Sequence, residues 1–488
     1  MVKVNTGVLE TRIHDTFNLK SHKIIKKKIL KLYSLDKFIV ICSPFIFDKI
    51  FIKRKQSGKF SKGTVIIFIK ESLKIIKFIY KCILNQIFVN QIKIEDKIFF
   101  FSNRFTDQHN IFPISNYLLE KNVRHTLLFN GQQNVLHKIK KKFKKKIFQI
   151  QNYLNISDLF YGYINFLKKK HEIKKLFYIF NFNKDEKKII FNFFRFFFIY
   201  QEIYKRIIKT KEIKFVLSDK FNSPAICSLI DYLKFKKINK KFLAISYAYI
   251  GLGGESATYI YSNSDHILTT SKDDNEVLNQ LRKKKLLFLT TPTQTAVGSV
   301  RNETIKKKYF KKKSKKINIL YIKSNSHHYN NIDDKALKIF IRVIRKFKSN
   351  INFKIKDRYN LKSQIIEQML SNGLIKKKNI VNNKEAFVEK SIINSDICVG
   401  TCTSALTVQC FWLKRPIIQM FKNKLVDSFK NSMSANTEKE LEFILNKLLN
   451  KKFLKMKKDN ANKIYKDLYL IKQNPIHNIF KYIKNITY

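Results

Sequence analysis

The sequence predicts an α/β protein of two Rossmann-like, parallel-sheet halves preceded by a mainly helical extension. Three observations carry that expectation. From Asp96 onward, short apolar runs of buried-strand type alternate with amphipathic helical stretches. A Lys-rich helical stretch over 135–210 interrupts the alternation, which then resumes. A basic run, "KKKYFKKKSKK" at 306–316, reads as a linker, and a second series of the same kind follows it. The resulting division is an extension at 1–94, a first half at 95–305 and a second half at 306–488.

The extension holds the apolar run "KFIVICSPFIF" and a helical stretch, "ESLKIIKFIYKCILNQIF". In the first half, "DKIFFFSN", a polar turn, the helix "IFPISNYLLEKNV" and the strand "HTLLFN" make one βαβ unit, which demands a parallel sheet. "EIKFVLSD" is the next strand, and "SPAICSLIDYLKFKK" is a helix with Pro224 in its first turn. The strands "KFLAISYAYIG" and "SDHILTTS" follow, then a helix over "DDNEVLNQLRKK" capped by Asp273. In the second half "INILYIKS", "INFKIKDR", "KNIVNN", "DICVGT" and "RPIIQM" are strands. Helices alternate with them, one stopped by Gly373 and one capped at Asn436 or Thr437.

Composition narrows the function. A formal charge of +62 in 488 residues points to an anionic partner, either nucleic acid or a membrane surface. The same richness in Lys, Ile, Asn and Phe is what an AT-rich genome supplies, so solvated faces account for much of it. No RNA- or DNA-binding motif is visible, and the aromatics sit in core-like runs, which argues against nucleic acid. Six scattered cysteines fit a reducing compartment. The opening residues lack a signal-peptide core, and no run is long and apolar enough for a spanning helix. "IIFNFFRFFFIYQEIY" at 189–204 reads as a buried core helix, with a membrane-surface helix as the other reading. The expected place is the cytoplasm, with peripheral contact to the inner face of the membrane.

Open parallel sheets bind ligands outside the carboxyl ends of their strands. "NSDICVGTCTSALTVQCFWLKRPIIQM" at 394–420 fits such a place. Val399 ends a strand, Gly400 permits a tight turn, and Thr401, Thr403 and Ser404 stand where a helix begins. Free N–H groups and the helix dipole there favour a phosphate; a plain helix cap explains a hydroxyl at such a turn equally well. His109, with Asp107 two residues away, follows the first strand and is the candidate general base. His327 and His328 follow the first strand of the second half and could touch phosphate. No carboxylate pair or His/Cys set has metal-ligand spacing, and Cys398 and Cys410 read as core.

Over about 30 residues, "KSIINSDICVGTCTSALTVQCFWLKRPIIQM" resembles the donor-side segment of GT-B-fold transferases. Related segments occur in surface-polysaccharide glycosyltransferases, CDP-glycerol glycerophosphotransferases and UDP-N-acetylglucosamine 2-epimerases. "AVGSVRNETI" resembles the turn that leads between the two GT-B domains, with Val300 in place of Pro. "FKIKDRY" resembles a strand end of the polyol-phosphate enzymes; Lys356 keeps the cation, while Arg358 and Tyr359 replace His-Pro. The glycerophosphotransferases carry His-Gly where this chain has Tyr249-Ile250-Gly251.

The resemblance implies a nucleotide-sugar or CDP-polyol donor and a glycan or lipid-linked acceptor. It implies donor-phosphate contacts from Gly400, Thr401, Thr403, Ser404 and His327, neutralisation by Lys356 or Arg358, and a crevice lined by Gly298 and Ser299. It implies neither metal nor cofactor, since cations and a helix N-terminus stabilise a leaving diphosphate. A 2-epimerase and a non-catalytic nucleic-acid binder are the alternatives.

Overall fold

The computed structural model describes residues 31–32, 34–42, 45–46, 94–102, 105–130, 147–208, 213–218, 223–235, 241–245, 263–283, 292–301, 303, 314–323, 330–357, 364–381, 388–401, 406–421, 433–471 and 473–487. Two wholly parallel sheets organise these residues. The first has seven strands: β1 (Lys97–Ser102), β2 (Thr126–Asn130), β3 (Ile147–Gln149), β4 (Phe215–Ser218), β5 (Lys241–Ile245), β6 (His266–Thr269) and β7 (Thr293–Ala296). Their order is β3-β2-β1-β4-β5-β6-β7. The second has five: β8 (Ile317–Ile322), β9 (Ile351–Lys356), β10 (Ile397–Gly400), β11 (Ile417–Met420) and β12 (Met433–Ala435), in the order β12-β11-β10-β8-β9. The two-sheet α/β architecture expected from the alternation is therefore present.

Helices α1 (Phe105–Glu120), α2 (Ile156–Phe180), α3 (Lys184–Ile207), α4 (Pro224–Phe235) and α5 (Lys272–Lys283) belong to the first half. Helices α6 (Asn330–Ile344), α7 (Gln364–Ser371), α8 (Val388–Asn394), α9 (Leu406–Trp412), α10 (Glu438–Leu449) and α11 (Lys451–Ile464) surround the second sheet. The last, α12 (Pro475–Thr487), returns to the first half. Ile479 and Ile483 of α12 are fully buried in one cluster with Phe99, Leu127, Phe215 and Leu243. Asn478 donates to the Val297 carbonyl (3.1 Å), and Tyr117 Oη lies 3.2 Å from His477 Nδ1. Chain order alone places this helix with the second half; its apolar face is what takes it to the first.

Local chemistry explains the element limits. Asn155 and Asn183 start α2 and α3 with reciprocal capping boxes to Asp158 and Glu186. Gly162 lets these two helices approach closely: a Cβ there would lie 2.7 Å from Ile199 Cα. On α3, Ile190, Phe193, Phe194, Phe197 and Phe198 are buried, so the 189–204 run is a core helix. Pro224 opens α4, as expected. The cap of α5 is Ser271, whose Oγ accepts the Asp274 N–H (3.0 Å), and not Asp273. Asp274 in turn accepts from the Thr270 N–H, so a fully buried serine and aspartate serve this turn. Gly373, at φ +66°, stops α7, and Thr437 caps α10. Where the strand "KNIVNN" was expected, Lys377–Asn379 form a 3₁₀ turn and Ile380 makes a single bridge to Ile355, while 382–383 lie outside the described residues.

Candidate functional site

Both sheets reverse their strand order at one point, and in open parallel sheets it is outside the carboxyl ends of the strands at such a point that ligands bind. In the second sheet the reversal lies between β8 and β10, which are hydrogen-bonded neighbours. β10 ends at Gly400, where a Cβ would meet the Ile322 carbonyl oxygen at 2.7 Å. That residue can only be glycine, because the neighbouring strand's backbone occupies the space. The glycine of the turn is thus required by sheet packing.

Thr401 follows and is 2 % exposed. Its hydroxyl donates to the Asp333 carboxylate. Asp333 is fully buried in the first turn of α6, where the helix dipole favours an acid. A hydroxyl has one proton to give. That of Thr401 goes to Asp333. This bond fixes the β10 turn against α6.

Two lysines end the strands on one side of this turn. Lys323 and Lys356 directly follow or end β8 and β9, and both are 6 % exposed. The Lys323 N–H donates to the Lys356 carbonyl (3.0 Å), so their backbones meet at adjacent strand ends; the register partner of Lys356 is Ile322, which sets the two side chains toward opposite faces of the sheet. Lys323 Nζ is 3.1 Å from Asp334, and Asp357 is buried beside Lys356 in sequence. Two buried lysines thus sit at adjacent strand ends next to a switch point. The sequence reading named Lys356 and did not name Lys323, Asp333 or Asp334, which the structure places close by. The signal was present: "YIKS" and "KIKD" each end an apolar strand in a lysine. Thr403, Ser404, Arg358, His327 and His328 lie outside the described residues.

In the first sheet the reversal lies between β1 and β4. Helix α1 begins three residues after β1 and already includes Asp107 and His109. They therefore stand on the first turns of a helix, where a loop was expected, yet still at the switch point. Gly298 adopts φ +94°, and a Cβ there would fall 2.7 Å from Pro475. This glycine serves the packing of α12, and Ser299 beside it is buried, its carbonyl accepting the Glu303 N–H.

Other polar groups of the motif serve the opposite edge of the second sheet. Asp396 accepts the Asn318 N–H (3.0 Å) and pairs with Lys458 (2.6 Å). Arg415 donates to the Ile393 carbonyl (2.9 Å). Cys398 and Cys410 are buried with Leu320, Ile392 and Trp412, as core packing requires. His266 opens β6 at the amino edge, stacks on Tyr482 and lies against Thr293 and Thr295. Burial and then the nearby Lys241 push its pKa down to about 4. His125 touches Ser115 and the Val123 carbonyl. Both histidines are structural. Among the described residues, no group of three His, Cys, Asp or Glu is arranged to hold a metal ion. No helix among them is long and apolar enough to cross a membrane.

No family model matches the chain, and neither does any curated protein. Solved structures of similar course exist. An S. aureus MnaA–UDP co-structure is 11% identical over 80% of this chain and 97% of that one, with a TM-score of 0.47. A UDP-GlcNAc 2-epimerase from Neisseria meningitidis bound to UDP-GlcNAc is 10% identical over 80% and 99%, with a TM-score of 0.48. A glycosyltransferase from Rickettsia africae is 11% identical over 80% and 98%, with a TM-score of 0.43.

Proposed function

We propose that this protein is a GT-B-type transferase, moving a sugar or polyol phosphate from a nucleotide-activated donor to a glycan or lipid-linked acceptor. The observation that supports it most is that β8 and β9, next to the Gly400–Thr401 turn at the second sheet's switch point, both close on a buried lysine, Lys323 and Lys356, one toward each face of the sheet. In this reading the second half holds the donor. The lysines, with Arg358, His327, Thr403 and Ser404 from the adjoining segments, meet its phosphates. Charge-assisted bonds from such groups stabilise a leaving diphosphate without a metal. His109 on α1, oriented by Asp107, takes the acceptor proton in the first half.

Calorimetric titration with UDP, CDP, UDP-GlcNAc and CDP-glycerol tests the donor half. Lys356→Met is expected to weaken diphosphate binding by about tenfold or more. Asp334→Asn, which removes a carboxylate competing for Lys323, is expected to tighten it. Binding unchanged in both variants and in Ser404→Ala would overturn the reading. His109→Ala is expected to lower transfer by about 10²–10⁴-fold with donor binding intact. Release of free UDP from UDP-GlcNAc with no acceptor present would favour the epimerase alternative.

A further inference from the structure

Helix α2 carries a face that no described residue covers. Its buried residues, Asp158, Gly162, Phe166, Ile173, Leu176 and Phe180, lie toward α3 and the core. At about 100° per residue, Ile156, Phe160, Tyr163 and Leu167 fall on a separate side, centred about 120° from the buried line, and Lys170 and Lys174 continue the same stripe. All six lie within an arc of roughly 80°. Phe160 is 61 % exposed and Tyr163 47 %. Tyr178, 85 % exposed, ends the line. Of the twelve large apolar side chains exposed among the described residues, six are on this one helix.

We propose that this face of α2 docks on an anionic lipid surface. Charge decides among occupants. The stripe passes from aromatic and aliphatic residues straight into lysines, in a chain of net charge +62. A second copy would bring lysines against lysines. A nucleic acid could stack bases on Phe160 and Tyr163, but it offers the aliphatic Ile156 and Leu167 no apolar volume to enter. A bilayer interface takes both: the apolar half enters the headgroup–acyl boundary, and the lysines meet anionic headgroups. Rigidity supports the geometry. Asp158 is paired with Arg206 at 2.7 Å, and the capping box fixes the first turn. The helix follows the carboxyl end of β3 by seven residues, so its apolar end starts from the sheet edge that carries the switch point. This surface stands independently of the transferase reading, because its test involves no nucleotide.

Flotation of the full chain with vesicles is the experiment. Phosphatidylcholine vesicles containing phosphatidylglycerol are expected to bind the protein, and phosphatidylcholine alone to bind it at least about tenfold more weakly. The exposed triple variant Phe160→Ser, Tyr163→Ser, Leu167→Ser is expected to lose about tenfold or more on anionic vesicles with an unchanged circular dichroism spectrum. Lys170→Glu with Lys174→Glu is expected to lose binding that added salt also removes. Wild-type binding retained by the triple variant would overturn the proposal. So would a dimer that the triple variant dissociates, or an RNA complex that it abolishes while vesicle binding persists.

Discussion

Single side chains near the β8–β10 junction carry their load through contacts with backbone and carboxylate. Gly400→Ala forces a methyl onto the Ile322 carbonyl, a backbone atom that cannot move aside. Overpacking of this kind costs about 1–3 kcal/mol, read as a lower urea midpoint. Thr401→Val leaves Asp333 without that donor and is expected to cost about 1–3 kcal/mol, while Thr401→Ser recovers most of it. Two buried groups set an opposed pH response in the first half. His266 is held to about 4, below its ordinary 6.5, so its contribution is present above pH 6.5 and is lost as pH falls toward 4. Burial raises Asp231 to about 6, so its contribution has the other sign, growing as pH falls from 6 toward 3.8. The two nearly cancel. Asp231→Asn, which keeps the bond from Gln201, should therefore reveal a fall in urea stability between pH 6.5 and 4, and a double variant with His266→Gln should flatten it.

Elements were legible wherever an apolar run stood between turn residues. β1, β2, β4, β5, β6, β8, β9, β10 and β11 all coincide with runs visible in the sequence. β3, β7 and β12 were not visible, because "IFQ", "TQTA" and "MSA" are too short or too polar to show alternation. They exist as edge-ward additions that the interior strands template. The candidate site was legible at Gly400 and Lys356, because a strand-end glycine and a strand-end lysine break an apolar run. Asp333 was illegible: nothing in "NNIDDKALK" says which acid turns inward, and only the packing of α6 on β10 selects it. α12 was equally hidden, since its pattern declares an apolar face but not which sheet covers it. Ile483→Ala should cost about 2–5 kcal/mol. Amide exchange should rise in β1 and β2, though these strands are more than 350 positions away in sequence.

At the scale of the molecule, charge and connectivity dominate. A net charge of +62 repels itself, and added salt screens that repulsion over about 10 Å at 0.1 M. The thermal midpoint is therefore expected to rise as sodium chloride is raised from low to moderate concentration, with the change measured by near-UV circular dichroism. The return of α12 to the first sheet has a consequence for the order of events in the cell. A ribosome delivers β1 early and Ile483 late, and domains commonly fold as they emerge. Here Phe99, Leu127 and Leu243 wait with an uncovered flank throughout the synthesis of the entire second half. For that interval the nascent first half presents an apolar surface to whatever binds unfinished chains, and it is sealed only when the helix that begins at Pro475 arrives.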